Sequence, residues 1–204
     1  MLCGENSYFK SLDVTLTLYT IGHGTRQIGE LIALLREAGV DTLVDVRAQP
    51  RSRHNPQFND DALRLACENA GIVYHWAGKQ LGGMRNPRPD SPHLALDEGL
   101  RGFADHMDTD AFRKGAAQLQ HLAARGVCAM LCAERDPAHC HRSLIADYLT
   151  LQGVGVVHLI APGESREHVL SPAARRESAA LVYDRLVSGE LGLESVPPGP
   201  KTTR

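Results

Sequence analysis

The sequence predicts a single three-layer α/β/α domain on a mostly parallel five-stranded sheet. Short apolar, β-branched runs alternate along the chain with longer segments of helical period, the order that places helices on both faces of a parallel sheet. Glycines close several of the helical segments just before the next apolar run. The 204 residues, 43% hydrophobic and 23% charged, suffice for one full core and crowd two.

Residues 1 to 13 are mixed and polar, and read as an N-terminal extension without assigned function. Val14 to Ile21 reads as the first strand. The turn Gly22-His-Gly-Thr25 leads into a helix from Arg26 to Ala38, with Thr25 as N-cap, Gly39 as stop and Ile28, Leu31, Ile32 and Leu35 as the buried stripe. Thr42 to Val46 is the second strand, and the basic loop from Arg47 to Pro56 cannot be helical through both of its prolines. Asn59 is placed to cap a helix ending at Gly71, with Phe58 and Leu63 at staple positions; Ile72 to Trp76 forms the third strand. The segment Ala77 to Gly99 is long for a connection, and reads either as a functional loop or lid or as an irregular insertion. A short helix spans Leu100 to Met107, and Thr109 caps another to Ala124. Val127 to Cys132 is a buried strand, after which Asp136-Pro137 opens a helix to Leu151, and Val154 to Ile160 is the fifth strand. This α/β domain covers residues 14 to 162. Residues 163 to 204 are expected to add a helix over Pro172 to Val187 and a mobile tail from Gly189.

A net charge of -2 argues against bulk electrostatic coating of nucleic acid or anionic membrane, while leaving local basic patches open. Five scattered cysteines do not form a disulfide framework and suit a reducing compartment. No signal-peptide pattern and no spanning apolar run is present, so a cytoplasmic protein is expected, with oligomeric state open.

The most chemically loaded stretch is Leu131 to Ser143, which follows a strand end, where ligands bind in open α/β sheets. The strand ends offer His23, Asp45 with Arg47, His75 with Trp76, Cys132 with Glu134, and His158, which together suggest a composite pocket. Cys132, near Arg135, Arg142 and histidines, is either a nucleophile or the small apolar end of a buried strand. Cys140 shares a helical face with Leu144 and Tyr148, which assigns it to packing or to a disulfide with Cys132. Glu134, His141, His23 and Asp45 are candidate acid, base or orienting groups. Arg47, Arg51, Arg53, Arg85, Arg142 and His75 are candidate anion contacts, since guanidinium groups bind phosphate in bidentate fashion. A solvated charge run and a surface ion-pair network are the competing structural explanations. The Cys132-x7-Cys140-His141 spacing lacks the close cysteine pairing of zinc fingers, so no metal ligand or cofactor is assigned, although His23 and His75 could complete a site.

The succession Thr20-Ile-Gly-His-Gly-Thr25, Asp45-Val-Arg47 with Pro50-Arg-Ser52, Leu81-Gly-Gly83 with Arg85, and Cys132-Ala-Glu with Asp136-Pro and Cys140-His-Arg142 resembles the domain-of-unknown-function 488 family over residues 14 to 162. That resemblance implies a mainly prokaryotic family without a settled activity; many relatives carry serine where this chain has Gly24. Leu43 to Arg47 and Cys132 to Arg142 also resemble, more weakly, rhodanese and cysteine-phosphatase domains, but the Cys132 to Arg142 interval exceeds their compact substrate loop.

Three functions follow as expectations. The first is an enzyme acting on an anionic, phosphate-bearing or nucleotide-related small molecule through Cys132 or Glu134 and a histidine. The second is a nucleic-acid-binding or regulatory module gripping phosphates through the Arg47 to His54 loop and Arg85. The third is a metal-dependent hydrolase.

Overall fold

The structure, a computed structural model, describes residues 16–177 and 180–185. The extension at 1 to 13 and the tail from Gly189 lie outside the described residues, as do Val14 and Thr15 of the expected first strand.

Among the described residues the central sheet has six strands: β1 Thr17–Gly22, β2 Thr42–Asp45, β3 Val73–Trp76, β4 Cys128–Cys132, β5 Gly155–Ala161 and β6 Glu164–Glu167. Their order is β3-β2-β4-β1-β5-β6, and the first five are mutually parallel. The helices are α1 Ile28–Glu37, α2 Asp60–Asn69, α3 Gly78–Leu81, α4 Glu98–Met107, α5 Asp110–Ala123 and α6 Arg142–Leu151. Two hydrophobic cores sandwich the sheet. One packs Leu31, Leu35, Phe58, Leu63 and Cys67, from α1, α2 and the turn before α2, against Ile21, Leu43, Ala129 and Leu131. The other packs Phe103, Phe112, Leu119, Leu144 and Leu149, from α4, α5 and α6, against Leu18, Val44, Cys128, Met130 and Cys132. Side chains alternate across a strand, so neighbouring β4 residues feed opposite cores and Cys132 belongs to the α4–α6 side.

Several expected boundaries hold for stated reasons. Gly39, Gly71 and Gly153 adopt φ of 68°, 73° and 83°, the left-handed conformation that ends α1, α2 and α6. Thr109 accepts the Phe112 N–H at the start of α5. Thr25 does not cap α1, whose N-cap is Gln27 without a side-chain bond. Asn59 precedes α2 as expected, but its Oδ1 accepts the Ser52 N–H at 2.7 Å and ties down the basic loop.

Three expectations need correction. The sheet gains a sixth strand because Pro162-Gly163 makes a two-residue turn, with Gly163 at φ 68°, that folds exposed Glu164–Glu167 antiparallel onto β5. A short, fully polar edge strand carries no apolar alternation to detect, and its charge protects the sheet edge. Within the helix expected over Pro172 to Val187, the described residues instead form two paired antiparallel strands, β7 Ala174–Glu177 and β8 Ala180–Tyr183, and residues 186 and 187 lie outside the described residues. Leu181 and Tyr183, 7% and 0% exposed, pack into the α4–α6 core, and this burial overrides the helical preference of the alanine-rich run. Finally, Asp136 does cap, accepting the Ala138 N–H at 3.0 Å, but the turn it opens stops at His139. Cys140 is extended, and α6 begins only at Arg142.

Candidate active site

Glycines at the end of β1 set the position of the loaded segment. A Cβ on Gly22 would lie 1.7 Å from the Glu134 carbonyl oxygen, so only glycine permits the β4–α6 loop to cross there. The His23 and Gly24 N–H groups donate to the Cys132 and Ala133 carbonyls at 3.0 and 2.8 Å, continuing the β1–β4 pairing beyond both strands. From below, the buried Arg142 guanidinium donates to the Glu134 carbonyl through Nη1 and to the Arg135 carbonyl through Nη2 at 2.8 Å. A cation at the first position of α6 opposes the helix dipole, and these carbonyls explain its presence.

The loop so held brings three donor atoms together. Cys132 Sγ lies 3.5 Å and Cys140 Sγ 3.9 Å from His141 Nδ1. Among the described residues these form the one group of metal-ligand type, its ligand atoms all within 4.8 Å of one another. The other ring nitrogen, His141 Nε2, is 3.1 Å from the Val46 carbonyl, which can only accept, so the proton sits on Nε2 and the Nδ1 lone pair faces the two sulfurs. A hydrogen bond from the Cys140 thiol, aided by Arg142 and the Ala133 and Glu134 N–H groups, holds the Cys132 thiol below its ordinary pKa despite burial. The same contact pushes Cys140 up. By contrast, burial, with smaller help from neighbouring carboxylates, drives Cys67 to about 11 and Cys128 to about 12.

These three residues line a cavity of about 380 Å³, the size of a small-molecule site, together with Glu134, His139, Arg47, Gln49, Asp97, Gly83 and Met84. Gly83 abuts the centre itself: a Cβ there would sit 2.9 Å from His141 Nδ1.

The remaining candidates fall elsewhere, and strand parity gives the reason. Asp45 and Tyr74 point to the α1–α2 side of the sheet, opposite Cys132. Buried Asp45 accepts the Arg47 N–H at 3.0 Å, the Arg47 Nη2–H at 2.5 Å and the Tyr74 hydroxyl at 2.8 Å. Arg47 Nη2 also donates to the Phe58 carbonyl, and Nη1 lies 3.3 Å from His23 Nε2. Burial tends to lower the Arg47 pKa, but the Asp45 hydrogen bonds and charge outweigh it and raise the group above its ordinary value. His23 stacks on Phe58 with ring centroids 4.4 Å apart, its Nδ1–H donates to the Gly24 carbonyl, and burial lowers its pKa, so it is a neutral packed imidazole. Asp45, Arg47 and His23 thus brace the rear wall, with Arg47 alone reaching the cavity lining.

His75 is exposed on β3 and lines a separate groove with Trp76 and α5. His158 sits within β5 rather than at its end, 2.7 Å from Thr20 Oγ1. Arg85 donates to the Gly82 and Lys79 carbonyls and closes the α3 turn. Arg51 pairs at 3.5 Å with Asp60 on the surface, and Arg53 is exposed. The sequence reading leaves Cys140 off the site by assigning it to the core, where its side chain also packs, and sets aside the Cys132-x7-Cys140-His141 spacing because it lacks the close cysteine pairing of zinc fingers. His139, Gln49 and Asp97 are further lining residues without a sequence signature.

No helix among the described residues is long and apolar enough to cross a membrane. No curated protein and no solved structure matches the chain significantly. The family model described as "Domain of unknown function DUF488" matches residues 27–149, more than half of the 204 residues and the whole of the Cys132, Cys140 and His141 group, and the chain therefore belongs to that family.

Proposed function

We propose that the chain is an enzyme that hydrolyses a small molecule held in the 380 Å³ cavity, with Cys132, Cys140 and His141 as the reaction centre and Glu134 as the proton carrier. One observation carries the reading. His141 is fixed by the Val46 carbonyl so that its remaining lone pair faces two sulfurs on the cavity wall, an arrangement with reactive capacity left over. Glu134, an exposed carboxylate on the same wall, is free to take a proton from an attacking group and return it to a leaving group.

An anionic substrate has less support than a neutral polar one. Of the candidate anion ligands only Arg47 lines the cavity, and its guanidinium is engaged with Asp45, Phe58 and His23, while Asp97 and Glu134 add carboxylates.

The test is a panel of ester, amide and phosphoester substrates. Cys132→Ser and Glu134→Gln should each lower kcat/KM by about a hundredfold or more at unchanged fold. Retention of full activity in both variants would remove the reading. A second reading, direct attack by the Cys132 sulfur with His141 as base, is favoured by the 3.5 Å pair and the orienting third group. It predicts a substrate-derived adduct on Cys132 in the intact mass during turnover, which water attack does not produce.

A further inference from the structure

We infer that Cys132, Cys140 and His141 hold a thiophilic divalent metal ion of the Zn²⁺ class, leaving one coordination position open to the cavity. This deepens the proposed hydrolytic reading, on which it rests for the role of the ion but not for its binding.

Bond lengths supply the first argument. Zinc bonds of about 2.3 Å to sulfur and 2.0–2.1 Å to nitrogen, spread at a tetrahedral angle, place sulfur about 3.6 Å from nitrogen and about 3.8 Å from a second sulfur. The observed sulfur-to-nitrogen separations are 3.5 and 3.9 Å, and all three donor atoms lie within 4.8 Å of one another. Both sulfur-to-nitrogen edges thus fit one face of a zinc tetrahedron, and the sulfur-to-sulfur edge is no longer than 4.8 Å.

The imidazole supplies the second. Two sulfurs and the Nδ1 lone pair face one another at 3.5 and 3.9 Å, and with the Cys140 thiol proton directed at the Cys132 sulfur the three electron-rich atoms are bridged only by weak sulfur hydrogen bonds. An ion resolves this by replacing both thiol protons. A dication with two thiolates and a neutral imidazole is a charge-neutral unit, suited to a place where Cys132 and Cys140 are 4% and 2% exposed. The Nε2–H to Val46 carbonyl bond is the outer-shell contact that metal-bound histidines use to fix their tautomer and aim.

Gly83 supplies the third. A Cβ there would stand 2.9 Å from Nδ1 and 3.1 Å from Cγ of His141, so glycine keeps clear the space beside the coordinating nitrogen. The chain reaches this point from the long 77–99 segment, far in sequence from the three donors, and brings no side chain with it.

Three protein ligands with a fourth position free characterise catalytic rather than structural zinc. All three donors line the cavity, as do Glu134 and His139. When bound, the ion would supply Lewis acidity toward a substrate oxygen or a water molecule. The side chains would position it, and Glu134 would carry the proton.

The test takes the full chain with any affinity tag removed, reduced and stripped with a chelator, and titrates it with Co²⁺. A thiolate-to-cobalt charge-transfer band should saturate at one ion per chain and be bleached by Zn²⁺. Cys140→Ser should weaken binding by at least the roughly tenfold to hundredfold typical of losing an outer-shell partner, since it removes a ligand itself. Gly83→Ala, which keeps all three donors, should also weaken it, with folding checked by circular dichroism. A reduced wild-type chain without the band, or a band indifferent to Cys140→Ser, overturns the inference. Stoichiometric binding without hydrolysis of any substrate would instead overturn the hydrolytic reading and leave the metal site standing. Loss of hydrolysis in Cys132→Ser with no cobalt band would do the reverse.

Discussion

Two histidine clusters in this molecule differ in how completely their hydrogen-bonding capacity is used. Near β5, Thr20 Oγ1 meets His158 Nδ1 at 2.7 Å, His158 Nε2 meets His168 Nδ1 at 3.0 Å, and His168 Nε2 meets Asp147 Oδ1 at 2.8 Å. Asp147 also accepts the Ser171 N–H and the Tyr183 hydroxyl. Each ring nitrogen of His158 and His168 has its own partner, and none is left for a ligand even though a second cavity of about 330 Å³ borders them. At Cys132, Cys140 and His141, one lone pair is shared between two sulfurs on a cavity wall. Both clusters are largely buried and contain histidine, so these properties do not separate structure from function. Capacity left over does.

The contrast is open to direct attack. Asp147→Ala strips partners from His168, Ser171 and Tyr183 at once and should cost about 3 kcal/mol or more of stability in urea denaturation. Cys132→Ser should cost only about 1 kcal/mol while removing activity. Equal stability losses at the two clusters would erase the distinction.

Acid sharpens it further. Burial, with help from neighbouring His168, lowers the His158 pKa to about 4. The unfolded chain takes up this proton near the ordinary value of about 6.5, whereas the folded chain resists it until about pH 4. Stability from this group is therefore fully present above pH 6.5 and is lost as pH falls from 6.5 toward 4, by on the order of 3 kcal/mol. Denaturation midpoints measured across that window should slope downward toward acid in the wild type and flatten in His158→Leu after allowance for the carboxylates.

The smallest effect belongs to the surface. The double variant Arg51→Ala and Arg53→Ala should shift stability by no more than about 0.5 kcal/mol and leave pocket chemistry intact, because Arg51 makes one exposed pair and neither residue lines the cavity. A marked loss of hydrolysis would return the basic loop to the site.

Much of this architecture was legible in the residues. The parallel β-α order, the glycine stops after α1, α2 and α6 and the position of the loaded segment at a strand's carboxyl end all follow from period and turn chemistry. The composite pocket was legible only in part. Strand ends do converge, but side-chain parity sends Asp45 to one face and Cys132 to the other, and the alternation of Leu43 and Val44 between the two cores already encodes this. Cys140 was read as a helical core residue because the proline turn looked like the start of α6; the extended residue at 140 that separates the two depends on Asp136 capping a single turn. The β7–β8 pair was hidden because its order comes from burial of Leu181 and Tyr183 against distant α4, which no local propensity records.

The strand order carries one more consequence. The family match at residues 27–149 contains β2, β3 and β4 but leaves out β1 and β5, although β1 lies at the middle of the sheet and pairs with β4 along the strand that ends at Cys132. The matched segment and the folding unit are thus different objects. A fragment trimmed to the matched residues would expose the whole unpaired edge of β4 and the apolar faces that β1 covers, and would behave as an aggregating half-sheet rather than a small catalytic module.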